Sequence, residues 1–291
     1  MTIRHLKIFI TVAECKKMRK AAEQLYISQP TVSQAIAELE NYYGVKLFER
    51  LSQKIYITES GIQLLDYARH IVSLYEDMDL AMKHAGSKPT LRIGGSVSVG
   101  TRFFESLARQ MEEKVPELDM RMVIHNTEHI ETLITKSKLD AGIVEGIIQD
   151  RNIVRVPIYK DELVIVVGTS HPFYKRECIA LEELDGQCYI AREDGSVFRN
   201  QYEKLLTERN IKMVQKWSSS NTEPIKKAVI SGKGLAIMSR LIIEKELREG
   251  SLRVVPVNGI NVRREINLIY HKDKFISPHM AIFMDLAKQL T

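Results

Sequence analysis

Three cysteines in 291 residues, Cys15, Cys178 and Cys188, are too few and too odd in number for the disulfide framework of a secreted domain. No Cys/His cluster has the spacing that holds zinc. No apolar run approaches the length of a membrane span, and the apolar opening MTIRHLKIFITVAECKK is broken by Arg4, Lys7 and Glu14, which excludes a signal peptide. The expected location is therefore the cytoplasm, with no membrane partner. Catalytic signatures are missing as well. The eight histidines are scattered, and the i, i+4 pair His125 and His129 is split by a turn predicted at Asn126. There is no G-x-S-x-G elbow, no Walker loop and no paired-carboxylate pattern. GKGLAIM lacks the spacing and the Lys-Ser/Thr ending of a nucleotide loop. These absences argue against an enzyme, a metal and a cofactor.

What remains is a chain of ordinary globular composition, 44% hydrophobic and 27% charged, long enough for two or three compact units. Its formal charge of +5 is unevenly spread. Residues 1–57 hold nine Lys and Arg against five Glu, and the rest is nearly balanced at 33 against 32. A basic first fifth is expected where only that segment meets phosphates.

Within it, AAEQLYISQPTVSQAIAELENYYGVKLFER, residues 21–50, reads as a helix, a tight turn, a second helix and the start of a β-ribbon. Ala21, Ala22 and Leu25 let another helix approach closely. Ser28 suits an N-cap, and Pro30 costs no hydrogen bond in a first turn. Val32, Ile36, Leu39 and Tyr43 form one apolar stripe. Thr31, Ser33, Gln34 and Glu38 lie on the other side. A second helix offering short polar side chains is the unit that enters a DNA major groove. There Gln29 and Gln34 can pair with adenine edges, and Thr31 and Ser33 can touch bases or a thymine methyl. Arg19, Lys20, Arg50 and Lys54 are placed to hold phosphates.

This run, followed by ITESG, closely resembles the amino-terminal domain of LysR-type transcriptional regulators, and the similarity continues along nearly the whole chain. The resemblance adds Ser28 and Pro30 to the DNA-binding set. It departs from the family pattern at Lys16–Lys20, where the family usually has Gly-Ser and a Thr before the paired alanines. The ribbon's usual basic pair is reduced to Lys54 behind Gln53. Both departures bear on phosphate contacts.

Thr58 can cap a further helix with Glu59 near its positive end. Ile62, Leu65, Ala68, Val72, Tyr75, Met78 and Met82 then recur in a 3–4 alternation until Gly86–Pro89 breaks it. Such a helix would extend about 42 Å, and its stripe suits pairing with a copy of itself. In the family this is the linker helix that dimerises the heads, which implies dimer contacts at Leu65, Val72, Tyr75 and Met82. Two symmetric heads would read an inverted repeat in double-stranded DNA.

From Leu91 onward apolar strands alternate with amphipathic helices, which argues for α/β units with largely parallel sheets. The resemblance implies two lobes similar to type 2 periplasmic binding proteins, joined by strands crossing near 160–168 and 264–270. The expected fold class is α+β multidomain, with a winged helix-turn-helix at 1–58, a linker helix at 59–88 and a two-lobed α/β effector domain at 89–291. Lobe one spans about 90–161 and 268–291, and lobe two about 162–267.

A cleft between such lobes normally takes a small molecule at strand ends and helix N-termini. Ser96 and Ser98 in GGSVSVG, Thr127, Ser196 and Thr222 stand at the matching turns. They point to a small anionic effector of unknown identity, although each hydroxyl would serve equally as a helix cap. Arg192 and Arg199 can add positive charge there or form surface salt bridges. Further partners implied by the resemblance are a second copy, as dimer or tetramer, and RNA polymerase. Two other readings fit parts of the chain: a solute-binding protein, which the basic head opposes, and a thiol sensor using Cys178 and Cys188.

Overall fold

The structure, a computed structural model, describes residues 1–51, 54–83, 88–193 and 197–290. Three helices open the chain: α1 (Ile3–Cys15), α2 (Met18–Leu25) and α3 (Gln29–Tyr43). Local chemistry sets their ends. Thr2 accepts the His5 backbone N–H at the start of α1. Ser28 accepts that of Thr31 at the start of α3, where Pro30 occupies the first turn, and such a cap contributes about 1 kcal/mol. Left-handed Tyr26 (φ 54°) turns the chain between α2 and α3, and left-handed Gly44 (φ 69°) closes α3.

The strands β1 (Phe48–Leu51) and β2 (Lys54–Ile57) pair antiparallel as the wing, with Leu51 opposite Lys54. Thr58 then accepts the Gly61 N–H and donates to the Lys46 carbonyl, which starts the long helix α4 (Glu59–Lys83). Gly61 is required by contact. A Cβ there would lie 2.3 Å from the Leu47 carbonyl oxygen, where α4 crosses the wing.

The head buries Leu6, Phe9, Val12, Ala21, Ala22, Val32, Ile36, Leu39 and Leu47, together with Ala68 and Val72 from α4. Tyr43 departs from the expected stripe. It is 42% exposed, and its hydroxyl meets the Met1 sulfur.

The remainder holds β3 (Thr90–Gly95), α5 (Val97–Lys114), β4 (Asp119–Ile124), α6 (Thr127–Thr135), β5 (Ala141–Glu145) and β6 (Ile153–Gly168). Then come β7 (Cys188–Arg192), α7 (Val197–Thr207), β8 (Val214–Ser219), α8 (Thr222–Ile230), β9 (Ala236–Ser239) and α9 (Glu244–Arg248). The chain ends with β10 (Leu252–Val255), β11 (Val262–His271) and α10 (Pro278–Lys288).

One seven-stranded sheet runs β10-β6-β11-β5-β3-β4, with β9 also on β6, and β7 and β8 form a second, parallel pair. The expectation of largely parallel sheets is corrected here. β3 is parallel to β4 and β5, but β5, β6, β9, β10 and β11 meet antiparallel. The cause is the two crossing strands, which serve both lobes and run against each other from Ile153/His271 to Leu163/Val262.

Lobe one packs α5 and α10 on one face of its sheet, around Phe103, Phe104, Leu268 and Phe283. On the other face it packs Ile130, Ile134, Val144 and Ile269. β5 is buried along its whole length, as a strand covered on both faces must be. Lobe two has its own clusters, around Leu184, Tyr189, Tyr202 and Leu235 and around Val166, Ile225, Val229 and Ile243.

Candidate functional site

Burying Val32, Ile36 and Leu39 turns the opposite face of α3 to solvent. Gln29, Pro30 and Gln34 are exposed there, as is the cap Ser28, while Thr31 and Ser33 are half-buried beside them. Gln34 donates to Glu38 at 2.9 Å, and His5 Nε2 meets the other Glu38 oxygen at 2.8 Å. These hydrogen bonds, that from His5 first, hold the Glu38 carboxyl below its ordinary value. The one carboxylate among these polar groups is thus already partnered. Arg19 and Lys20 are exposed on α2, with Arg19 paired to Glu23 at 3.1 Å. Arg50 and Lys54 stand in β1 and β2, whose side chains at these positions lie outside what is described.

The expected dimer stripe on α4 divides between two surroundings. Val72 and Ala68 face the head core, and Leu65 packs against it. Tyr75 and Met82 are open, at 40% and 74% exposure. With them lie Tyr67, Ile71, Leu74 and Met78, all exposed. The free apolar face therefore overlaps the expected stripe at Ile62, Tyr75, Met78 and Met82 but not at Leu65, Ala68 and Val72, where α4 packs on the head. It continues into an apolar groove of about 470 Å³ lined by Leu6, Tyr43, Val45, Leu64, Tyr67 and Ile71.

Between the lobes, Ser96, Ser98 and Thr127 come together, but as a buried network. Helix α5 starts at Val97, earlier than expected, so Ser98 lies inside its first turn. Ser96 Oγ donates to the Glu145 carboxylate, and Thr127 Oγ1 donates to the Glu145 carbonyl at 2.8 Å. Arg264, on β11, reaches Glu145 at 3.3 Å, Asp161 at 2.5 Å and Ser98 Oγ at 3.5 Å. Ser239, at the end of β9, donates to Asp161 at 3.0 Å. All seven side chains are buried. Asp161 and Arg264 are paired residues of the two crossing strands, so the network joins lobe one, the crossings and lobe two.

Glu145, Asp161 and Arg264 were not foreseen. The available signal was a carboxylate closing the apolar run AGIVE, since a charge in a fully buried strand requires a partner. Thr222 opens α8 in lobe two, buried, next to its Asn221 cap. Ser196 lies outside the described residues. Arg192 pairs with Glu193 at 2.8 Å and Arg199 with Glu203 at 2.6 Å. The turn expected between His125 and His129 is the Asn126 cap of α6. It does not separate the two residues, whose rings lie 3.9 Å apart across it.

All three cysteines are free thiols, and Cys178 meets Asn258 at 2.8 Å. Among the described residues no group of three or more His, Cys, Asp or Glu is set to hold a metal ion. No described helix is long and apolar enough to cross a membrane.

Comparison with known proteins accounts for both halves. Residues 3–62 match the bacterial regulatory helix-turn-helix protein of the lysR family, and residues 84–291 match the LysR substrate binding domain. The chain is 29% identical to the HTH-type transcriptional regulator CysL of Bacillus subtilis over 97% of its own length and 95% of that protein. It is 29% identical to the transcriptional activator CmpR of Synechocystis over 98% and 94%. Its fold matches full-length OxyR of Pseudomonas aeruginosa with a TM-score of 0.67 at 22% identity, covering 99% and 93% of the two chains. It also matches the regulatory domain of Synechocystis CcmR in complex with 2-PG, with a TM-score of 0.64 at 20% identity over 68% of this chain and 95% of that one. A DNA-binding head, a long helix and a two-lobed domain in this order, matched along their full length, make this chain a member of the LysR family of transcriptional regulators.

Proposed function

We propose that α3 enters the major groove of a promoter carrying an inverted repeat, with Gln29 and Gln34 reading adenine edges and Thr31 and Ser33 touching bases or a thymine methyl. Ser28 and Pro30 hold the entry of the helix against the backbone, and Arg19, Lys20, Arg50 and Lys54 contact phosphates. The observation that carries this reading is the exposed Gln29–Pro30–Gln34 face on a helix that buries Val32, Ile36 and Leu39 on its opposite side. Two heads are joined through α4, by the face that bears Tyr75, Met78 and Met82, and a tetramer and RNA polymerase complete the assembly in the cytoplasm.

Control comes from a small anion between the lobes, held by Ser96, Ser98, Thr127, Ser196 and Thr222, with no other cofactor. Support for an acid comes from the hydroxyls at the starts of α5, α6 and α8, where helix N-termini favour negative charge. Further support comes from the 2-PG complex of a domain of the same fold. The anion must take Ser96 from Glu145, so binding and a change in the interlobe network go together.

DNase footprinting of the full chain on its own promoter region, with and without small acids that raise its melting temperature, tests the proposal. The expected result is a two-part protected site whose length changes with the acid. A single unpaired half-site, insensitive to every stabilising acid, would reject it.

A further inference from the structure

The linker helix rests on lobe one through a polar contact built around two stacked imidazoles. His70 on α4 and His271, the last residue of β11, have ring centroids 3.7 Å apart and planes inclined at 38°. Ser137, just after α6, meets His70 Nδ1 at 3.3 Å. Asn152 donates to Asp66, one turn before His70, at 3.2 Å.

Hydrogen bonding and burial favour the neutral form of both rings. The Asp273 backbone N–H donates to His271 Nδ1 at 3.2 Å, a bond that requires a lone pair there and so the neutral ring, although the Asp273 carboxylate lies 3.8 Å from the same atom. His70 Nε2 is buried with no hydrogen-bond partner among the described residues. With both nitrogens protonated, Nε2 would be the buried donor of a cation with no acceptor, which is costly. Two rings in face contact also cannot both carry charge without strong repulsion.

The other charges around the pair come from every element that meets it: Asp66 and Arg69 from α4, Asp150 from the segment before β6, and Lys272, Asp273 and Lys274 after β11. Arg69 is turned toward Glu14 of α1 at 3.6 Å, and Lys274 toward Asp140 at 2.6 Å.

We infer that this stack is a proton-sensitive dock: with both rings neutral, lobe one holds the linker helix and fixes the angle of the DNA-binding head, and proton uptake at either ring releases it. Burial first, and then the repulsion that His271 would exert once protonated, pushes His70 down to about 4. Burial likewise lowers His271, against the opposing pull of Asp273, Asp66 and Asp150. A docked group whose proton affinity is lowered stabilises the dock fully above the ordinary imidazole value of 6.5, and that contribution fades as pH falls from there toward 4. The dock matters because His271 ends the same strand that carries Arg264, so the interlobe network and the linker share one β-strand.

The test uses the full chain, spin-labelled at Asn41→Cys in the head and Glu112→Cys in lobe one, with the native cysteines replaced by serine and labelled protomers diluted into unlabelled ones. The expected result is one sharp head-to-lobe distance at pH 7.5, with a second population becoming the majority by pH 5. In the His70→Phe/His271→Phe double variant, which keeps stacked rings but cannot titrate, the sharp distance should persist at both pH values. A wild-type distance unchanged down to pH 5 overturns the proposal, as does a shift of the same size in the double variant. Should that variant misfold, imidazole NMR on the wild type decides. Two histidines must remain neutral below pH 6 and titrate together with the distance change, and titration of either near 6.5 with no change in distance rejects the dock.

Discussion

Lys7 on α1 and Glu76 on α4 form an ion pair at 2.7 Å. With Arg69 and Glu14 at 3.6 Å, the pair clasps the first helix against the linker helix, and the apolar side chains between them become part of the head. Val72 is one of these, 9% exposed in the cluster that holds Phe9 and Val12.

Val72→Glu is therefore expected to damage the head itself. Burying an unpaired carboxylate there costs on the order of 3 kcal/mol or more, visible as a lower melting temperature and weaker DNA binding. Met78→Glu, on the open face, should leave melting of the protomer within about 0.5 kcal/mol of wild type and shift sedimentation toward monomer. A Val72→Glu protein that melts like wild type but sediments as a monomer would put the seam back on the buried side.

Gln34→Ala should weaken binding to the specific promoter and relax its base preference, since a bidentate contact contributes about 1–3 kcal/mol. Lys54→Ala should lower specific and non-specific affinity alike and flatten the salt dependence. Titrations against cognate and scrambled duplexes at two salt concentrations separate the two. Unchanged affinity and preference in Gln34→Ala would mean that another face of α3 reads the bases.

Ser96→Ala combined with Ser98→Ala should keep DNA binding and lose the effector response. The Ser96 hydroxyl also satisfies buried Glu145, so a stability loss of about 1–3 kcal/mol accompanies it. Arg264→Met, which strands Glu145 and Asp161, should cost about 3–5 kcal/mol. Induction curves beside thermal melts check both, and a double serine variant that responds at wild-type inducer concentrations excludes these hydroxyls as the sensor.

Asp140 sets an acid limit on lobe one. Burial alone would raise its carboxyl, but hydrogen bonds from Arg92 and the charge and hydrogen bond of Lys274 hold it below its ordinary 3.8. The folded value lies under the unfolded one. The stabilisation is thus present above pH 3.8 and disappears as pH falls below it. Asp140→Asn should lower the melting temperature at pH 7 and flatten its decline below pH 4. An unchanged pH profile would show that Asp140 does not set the limit.

The parts of the fold visible in the residues are those decided within a few positions. Ser28, Pro30 and Gly44 bound α3 through caps and backbone geometry that any reader of the chain can locate. The linker shows the opposite case. Its apolar positions are plain in the periodicity, but whether Val72 or Met78 meets the partner depends on where α1 lies, which no local pattern carries. The interlobe network was hidden for the same reason. Arg264 meets Asp161 across 103 residues and Ser98 across 166, and the Ser96 hydroxyl expected to face a ligand also supports an unforeseen carboxylate. The expected parallel sheet failed because alternation of strands and helices does not reveal strands long enough to belong to two lobes.

Strand β11 holds Arg264 and His271 at a fixed separation. From Arg264 to His271 it spans about 23 Å at 3.3 Å per residue, with its one irregularity between Ile266 and Asn267. Side chains alternate across a strand, so removing a single residue from this stretch would turn one end over relative to the other. Arg264 could keep its carboxylates or His271 its imidazole partner, but not both. Substitutions between these two residues can keep the register, whereas insertions and deletions there cannot. The distance between sensing and DNA control in this chain is set as a count of residues.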